Sequence, residues 1–89
     1  MVEKRREDKI LKLKIWHASK FKDTEIEIAD TETVFVLKQW WADLYGIDDI
    51  GKQGEWVKLL GNGWELKSDV CLYQYNLNED LYLIGVMNY

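Results

Sequence analysis

The chain has 89 residues, of which 47% are hydrophobic, 31% are charged and none is proline. This length supports a single hydrophobic core, and the composition is typical of a folded globular domain rather than of a linker or a disordered tail. The single cysteine, Cys71, excludes an internal disulfide, and with the single histidine, His17, it cannot complete a four-ligand zinc site. We therefore expect one domain that needs neither a metal nor any other cofactor.

Charge is unevenly distributed along the chain. The net charge is −4, but residues 1–22 carry eight Lys/Arg and three Asp/Glu, whereas residues 23–89 carry four and thirteen. The acidic majority argues against a wholly basic nucleic-acid-binding surface, because it would repel phosphates. Residues 1–9 have almost no apolar content, so we expect a flexible charged arm there and a domain over residues 10–89.

No segment has the features of a membrane anchor or a signal peptide. An apolar run of roughly 20 residues would be needed to span a bilayer, and the sequence contains no run of that kind. The basic residues near the start are not followed by the apolar stretch of a signal peptide. We expect a cytoplasmic or nuclear protein that does not bind membranes.

Two strands open the predicted domain. Apolar and polar residues alternate over residues 10–16 and again over residues 24–28, with a turn between them, which is typical of a half-buried hairpin. If Leu13 faces Ile26, lysines of the first strand stand opposite glutamates of the second. The lysines then have a structural role rather than a binding role.

A helix follows the hairpin. Thr33 can accept a hydrogen bond from the first helical turn, and Gly46 can adopt the left-handed conformation that ends many helices. The apolar residues that recur at helical spacing, and that we expect to face the sheet, are Val34, Leu37, Trp41 and Leu44.

The rest of the chain predicts short elements. We expect strands at residues 55–60, 64–66 and 81–86, a tight turn at Gly61-Asn62-Gly63, and a single helical turn at residues 72–75. The order is then strand, strand, helix, strand, short strand, strand, which indicates an α+β domain.

That order, together with local motifs, resembles the β-grasp fold of ubiquitin-like domains. The most specific motif is Leu72-Tyr73-Gln74-Tyr75-Asn76-Leu77, which is similar to the family's leucine, two residues, Tyr-Asn and an aliphatic residue before the last strand. The segments Ile26-Glu27-Ile28 with Thr33-Val34, and Val57-Lys58-Leu59 before a glycine turn, also resemble the family. The resemblance implies a mixed sheet of four to five strands packed on one helix, and a Tyr75 whose hydroxyl bonds to backbone near the preceding turn.

A departure from the family affects the expected function. Conjugated members end in a flexible tail with two glycines, whereas this sequence ends Gly85-Val86-Met87-Asn88-Tyr89. The resemblance to non-conjugated members, which bind partners noncovalently, implies a protein-protein interaction module, either an adaptor or a small subunit of a larger complex. We do not expect a covalent modifier.

The first and last strands of a β-grasp sheet are adjacent and parallel, so their outward side chains form one face. Large aromatic side chains on such a face are typical of binding hot spots. The protein-binding residues that we predict are Trp16, Lys58, Leu60, Tyr82 and Ile84. The alternative is that Trp16 only covers the aliphatic parts of nearby lysines.

Lys58 bears on the kind of protein partner. Aligned strand by strand, the central isoleucine of ubiquitin's recognition patch falls at Lys58. A ubiquitin-binding helix would then have to bury an ammonium group without a partner. We therefore expect ubiquitin receptors and the proteasome to be poor partners.

Two apolar residues of the helix predict a second possible interface. If the residues at helical spacing face the sheet, Phe35 and Trp40 point elsewhere, and exposed large apolar groups indicate a covering partner. The alternative for Trp40 is that it lies under the connection after the helix.

We predict no catalytic activity and no small-molecule substrate. Asp48 and Asp49 are adjacent carboxylates in a polar segment without a neighbouring base, and Gly61-Asn62-Gly63 lacks the spacing of a phosphate-binding loop. His17 and Cys71 fall in distant parts of the predicted topology, so they do not form a nucleophile pair.

An alternative function is RNA association. The basic arm would contact phosphates, and the aromatic Trp16 beside it would stack on a base. The basic residues of that arm are Lys4, Arg5, Arg6 and Lys9.

Overall fold

The computed structural model describes residues 10–61, 64–75 and 82–87. The elements in these ranges are β1 (Ile10–His17), β2 (Lys22–Ala29), α1 (Val34–Asp43), β3 (Val57–Gly61), β4 (Trp64–Glu65) and β5 (Tyr82–Met87), with short 3-10 helices at Lys52–Gly54 and Leu72–Tyr75. The predicted arm at residues 1–9 and the tip of the predicted glycine turn lie outside the described residues.

The five strands form one mixed sheet in the order β2-β1-β5-β3-β4. β1 and β5 run parallel to each other, and the other neighbours are antiparallel. The described residues therefore confirm the predicted α+β architecture, a mixed sheet packed on one helix, with β1 beside β5.

The hairpin has the predicted register. Leu13 pairs with Ile26, which places Lys14 opposite Glu25 and Lys12 opposite Glu27. Alternate residues of β1 are buried and exposed, because every second side chain points toward α1.

The core fills the space between α1 and one face of the sheet. Trp41 is completely buried at its centre, and its ring lies against Gly85 of β5. Its indole N–H is the one buried side-chain polar atom without a hydrogen-bond partner among the described residues. The apolar residues of the core are Leu11, Leu13, Ile15, Ile26, Ile28, Val34, Leu37, Trp41, Ala42, Ile50, Val57, Leu59, Leu66, Leu72 and Leu83.

The helix begins as predicted but buries a different residue at its end. The Thr33 hydroxyl accepts a hydrogen bond from the backbone N–H of Val36. Leu44, which was expected to face the sheet, is 59% exposed. Successive helical residues are rotated by about 100°, so Tyr45, four residues after Trp41, stays on the core side of the helix. Leu44, three residues after Trp41, lies at the edge of that side. Tyr45 packs its ring against Trp41, with 5.7 Å between the ring centroids.

Tyr75 anchors the segment that precedes β5. Its hydroxyl accepts a hydrogen bond from the backbone N–H of Lys67, with 2.8 Å between oxygen and nitrogen. Its ring is half-buried and packs against the core. The backbone contact implied by the resemblance is therefore present.

No helix in the described part of the chain combines the length and the apolar character that crossing a bilayer requires.

Candidate protein-interaction surface

One row of side chains crosses all five strands on the sheet face that points away from α1. Trp16 of β1 pairs with Asp23 on one side and with Ile84 on the other. Ile84 also pairs with Leu60 of β3, and Leu60 pairs with Glu65 of β4. We call this set Asp23, Trp16, Ile84, Leu60 and Glu65 the crossing row. Its centre is apolar and each of its ends is a carboxylate.

The crossing row is open to solvent. Its neighbours along the strands, Ile15, Leu59 and Leu83, are completely buried, so the row itself points outward. Ile84, at the middle of the row, is 44% exposed, and Trp16 is partly exposed beside it. The structure thus brings three of the predicted binding residues together in one line.

Tyr82 lies one step from the row along β5. It pairs with Lys14 and is 46% exposed. Its hydroxyl donates a hydrogen bond to the Asp23 carboxylate of β2, so the side chain reaches across β1. This hydrogen bond stabilises the neutral phenol and raises the pKa of Tyr82. Tyr82 therefore adds a fixed aromatic surface to one end of the crossing row.

Lys58 lies beside the crossing row rather than within it. It is exposed on β3 and pairs with Val86, whereas Leu60 is the residue that pairs with Ile84. The apolar centre of the row is therefore uninterrupted. Lys58 is two residues from Leu60 on the same face of β3, and the expectation that ubiquitin receptors are poor partners stays a prediction.

Phe21, a residue of the predicted turn, extends the surface. Its side chain is 76% exposed, and its ring meets that of Trp16 edge-on at a centroid distance of 6.0 Å. Its φ of 52° lies in the left-handed region that bulky residues rarely adopt. A phenylalanine between lysines in a predicted turn was the available signal, because exposed turns favour small polar residues.

Buried His17 holds this turn in place. Its Nδ1 accepts hydrogen bonds from the backbone N–H groups of Ser19 and Lys20, at 3.2 and 3.3 Å. Its carbonyl oxygen accepts a third from Phe21 at 2.9 Å. Burial lowers the pKa of His17, and the charge of Lys20 lowers it further. The imidazole therefore acts as a neutral acceptor that fixes the path of the chain toward Phe21.

The residues of the second predicted interface lie on different sides of α1. Phe35 is half-buried, packs against the core and lines an open groove of about 410 Å³ with Thr33, Gln53, Ser68 and Asp69. Trp40 is 43% exposed. The two positions are five residues apart, which is about 140° around a helix. They do not form one surface.

Lys38 is buried in the fold and has a structural role. Only 3% of its surface is exposed, and its Nζ donates hydrogen bonds to Ser68 Oγ at 2.9 Å and to the Gly54 carbonyl at 3.4 Å. Burial lowers the pKa of its ammonium group. The side chain joins α1 to the two irregular segments that pack beside it.

The described residues contain no group of three His, Cys, Asp or Glu side chains that could hold a metal ion. Asp49, one of the two adjacent carboxylates noted in the sequence, accepts a hydrogen bond from the backbone N–H of Gly51 at 3.0 Å. This contact fits a turn residue.

Comparison with known proteins identifies the fold. No family model matches the sequence, and no curated protein matches it. The chain is similar in structure to a de novo designed protein based on ubiquitin, with a TM-score of 0.70, 20% identity and 85% of each chain covered. It is also similar to the ubiquitin of Caldiarchaeum subterraneum, with a TM-score of 0.76, 17% identity, and coverage of 91% of this chain and 96% of that one.

A third similar structure is the N-terminal ubiquitin-like domain of the 4931431F19Rik protein. Its TM-score is 0.75 at 14% identity, over 100% of this chain and 86% of that one. The chain therefore has the ubiquitin-like β-grasp fold, as the motifs predicted.

Proposed function

We propose that this chain is a noncovalent protein-interaction module, an adaptor or a small subunit of a larger complex, that binds its partner through the crossing row and Tyr82. The ubiquitin-like fold supports the general class. The single observation that carries the proposal is the continuous apolar centre of the row, Trp16, Ile84 and Leu60, on an open sheet face.

The chemistry of this surface fits a protein better than a nucleic acid. Trp16 and Tyr82 provide large contact areas at a low cost in side-chain entropy, and Ile84 gains free energy when a partner removes it from water. The carboxylates of Asp23 and Glu65 at the two ends repel phosphates. The RNA alternative gains no support, since Lys4 and its basic neighbours lie outside the described residues.

The test is affinity purification of the tagged chain from its native cells, in parallel with a Trp16→Ala/Ile84→Ala variant. We expect partners of the unchanged chain to be lost from the variant, because two of the three apolar side chains of the row are truncated. Reconstitution with the purified partner should then show binding at least tenfold weaker for the variant.

A Trp64→Ala variant is the matched control. Trp64 is 61% exposed, and it pairs with buried Gly61, so it lies off the outward face. If the same partners co-purify equally with the unchanged chain, the Trp16→Ala/Ile84→Ala variant and the Trp64→Ala variant, the proposed surface is wrong. Denaturing mass spectrometry of the bait tests the noncovalent mode, which a mass-shifted adduct would contradict.

A further inference from the structure

The turn between β1 and β2 is held by one titratable side chain. The Nδ1 atom of buried His17 accepts hydrogen bonds from the backbone N–H groups of Ser19 and Lys20, at 3.2 and 3.3 Å. A neutral imidazole can accept there, whereas an imidazolium carries a proton on both nitrogens and can only donate. Protonation of His17 would place an N–H group against two other N–H groups, so both hydrogen bonds would be lost.

The turn is strained in the form that these hydrogen bonds hold. Phe21 has a φ of 52°, and a bulky residue keeps such a conformation only where its surroundings fix it. Three hydrogen bonds to His17 fix this turn: the two at Nδ1, and one from the Phe21 N–H to the His17 carbonyl oxygen. Ser19, Lys20 and Phe21 are exposed, so loss of the two bonds at Nδ1 allows the turn to relax without uncovering the core.

The charged groups around His17 also favour opening of the turn when the imidazole is charged. Lys20 lies in the turn, and its Nζ and the His17 ring are 5.2 and 4.9 Å from the centroid of the Tyr45 ring. Lys22 of β2 pairs with His17 and therefore points to the same side of the sheet. On α1 the titratable group against His17 is the Tyr45 phenol, and on β5 the paired residue is Gly85, which has no side chain. An imidazolium would thus add a third positive charge beside two lysines.

The same surroundings keep the turn closed at neutral pH. Burial lowers the pKa of His17 below its ordinary value of 6.5, and the charge of Lys20 lowers it further. Once protonated, the imidazolium stays next to the rings of Trp41 and Tyr45, at centroid distances of 5.1 and 4.9 Å, because aromatic rings attract cations. We therefore expect the backbone of the turn to move while the strands remain paired.

The turn carries part of the binding surface. Phe21 is 76% exposed, and its ring contacts that of Trp16 at a centroid distance of 6.0 Å. We propose that protonation of His17 opens the turn at residues 18–21 and takes Phe21 away from Trp16, so that the surface binds its partner at neutral pH and releases it in mildly acidic solution. This inference rests on the proposed function for the surface itself, and it adds the regulation of that surface.

The opening of the turn can be tested on the chain alone, by proton–nitrogen correlation NMR between pH 7.5 and 4.5. We expect the backbone amide signals of Ser19 and Lys20 and the indole N–H signal of Trp16 to shift with the same midpoint as the His17 ring protons. These shifts should disappear in a His17→Gln variant, because glutamine does not titrate. The amide signal of Leu13, in the middle of the hairpin, should keep its position.

A Lys20→Gln variant moves the midpoint and leaves His17 in place. It keeps the backbone N–H that His17 accepts but removes the repelling ammonium group, so the pKa of His17 should rise. We expect the midpoint of the three signals to shift upward by about 0.3 pH units. An unchanged midpoint would contradict the arrangement of charges from which the opening is inferred.

The effect on binding is measured with the partner that affinity purification recovers. The dissociation constant of the unchanged chain should be at least fivefold higher at pH 5.5 than at pH 7.5, and that of His17→Gln should differ by less than twofold. Phe21→Ala should bind weakly at both pH values, because it lacks the side chain that the turn presents.

Several outcomes would overturn the inference. Signals of Ser19, Lys20 or Trp16 that do not follow the His17 ring would show that the turn stays closed. A simultaneous change of all amide signals, Leu13 included, would mean global unfolding in place of a local opening. Equal affinity at both pH values, for a partner that the Trp16→Ala/Ile84→Ala variant loses, would reject the regulation and leave the proposed function standing. If no partner depends on the crossing row, the proposed function fails, and the NMR titration still decides whether the turn opens.

Discussion

Gly85 is the residue at which the core leaves least room. A Cβ atom at this position would lie 2.3 Å from Cη2 of the Trp41 indole, far inside van der Waals contact. We expect Gly85→Ala to lower the free energy of unfolding by about 3 kcal/mol, since neither the central strand nor the buried indole can move freely. Urea denaturation followed by circular dichroism measures the change.

The matching double variant is Gly85→Ala with Trp41→Phe. The smaller ring vacates the space that the new methyl group needs, so the double variant should lose less stability than the sum of the single variants. Strict additivity would show that the two positions do not share this space.

His17 makes stability depend on pH. Its pKa is lowered in the folded state by burial, with a further contribution from the charge of Lys20. The unfolded chain therefore takes up a proton first, and the stability that neutral His17 provides is present above about pH 6.5 and lost as the pH falls through its folded pKa. We expect a lower urea midpoint at pH 5.5 than at pH 7.5.

His17→Gln is the comparison for this effect. Glutamine does not titrate, so the dependence of the urea midpoint on pH between 7.5 and 5.5 should flatten in the variant. The chain has one histidine, so no second imidazole obscures the result. An equal slope in both proteins would assign the pH dependence to other groups.

Single residues differ in how far their sequence context predicts their position. Tyr75 was predictable because its motif is local, and its hydroxyl reaches backbone only eight residues away. Phe21 was not, because its exposure depends on a turn fixed by His17. Lys58 and Leu60 differ by two positions, and only the pairing of β3 with β5 decides which of them stands in the crossing row.

Among the elements, α1 depends on the residue that caps its N-terminus, Thr33. The Thr33 hydroxyl accepts from the Val36 N–H, which has no acceptor within the helix. We expect Thr33→Ala to lower the free energy of unfolding by about 1 kcal/mol, and Thr33→Ser to retain most of it, because serine keeps the acceptor oxygen. Urea denaturation of the unchanged chain and of the two variants measures these free energies of unfolding. Equal losses of stability in Thr33→Ala and Thr33→Ser would show that the methyl group of Thr33 matters and its hydroxyl does not.

The elements show what a periodic pattern can and cannot predict. Alternation predicted the hairpin register, with Leu13 on Ile26, because a shift by one residue would expose every buried side chain. The helical pattern assigned Leu44 to the core because it is apolar and three residues from Trp41. Half-buried Tyr45 is closer to the core direction, and its ring also packs on His17 with a centroid distance of 4.9 Å.

At the scale of the whole molecule, β5 joins the two halves of the sheet. It pairs with β1 on one side and with β3 on the other, and it contributes completely buried Leu83. We expect a chain truncated after residue 81 to lose cooperative unfolding altogether, because the sheet separates into two pieces without a shared core. Thermal denaturation followed by circular dichroism checks this.

Removal of residues 1–9 is the control for the truncation. We predict a cooperative transition close to that of the full chain, as expected for a charged arm. A cooperative transition in the chain that lacks β5 would mean that the hairpin and α1 fold alone.

The overall topology was more predictable than the interaction surface. Order and spacing of short elements indicated the β-grasp fold, and the comparisons agree. The apolar centre of the crossing row depends on the pairing of β5 with β1 and with β3, which joins segments that are far apart in sequence. No local pattern contains that information, because each strand shows only which of its faces is buried.

The pairing of β1, the first strand made, with β5, the last, also has a consequence for synthesis of the chain. A ribosome adds about 5–20 residues per second, so the segment between His17 and Tyr82 takes several seconds to make. Throughout that interval one side of β1 has no neighbour, and its backbone can pair with another emerging chain. The nascent protein should therefore be most prone to misassociation just before its final strand is released, and slower translation of this region would prolong the risk.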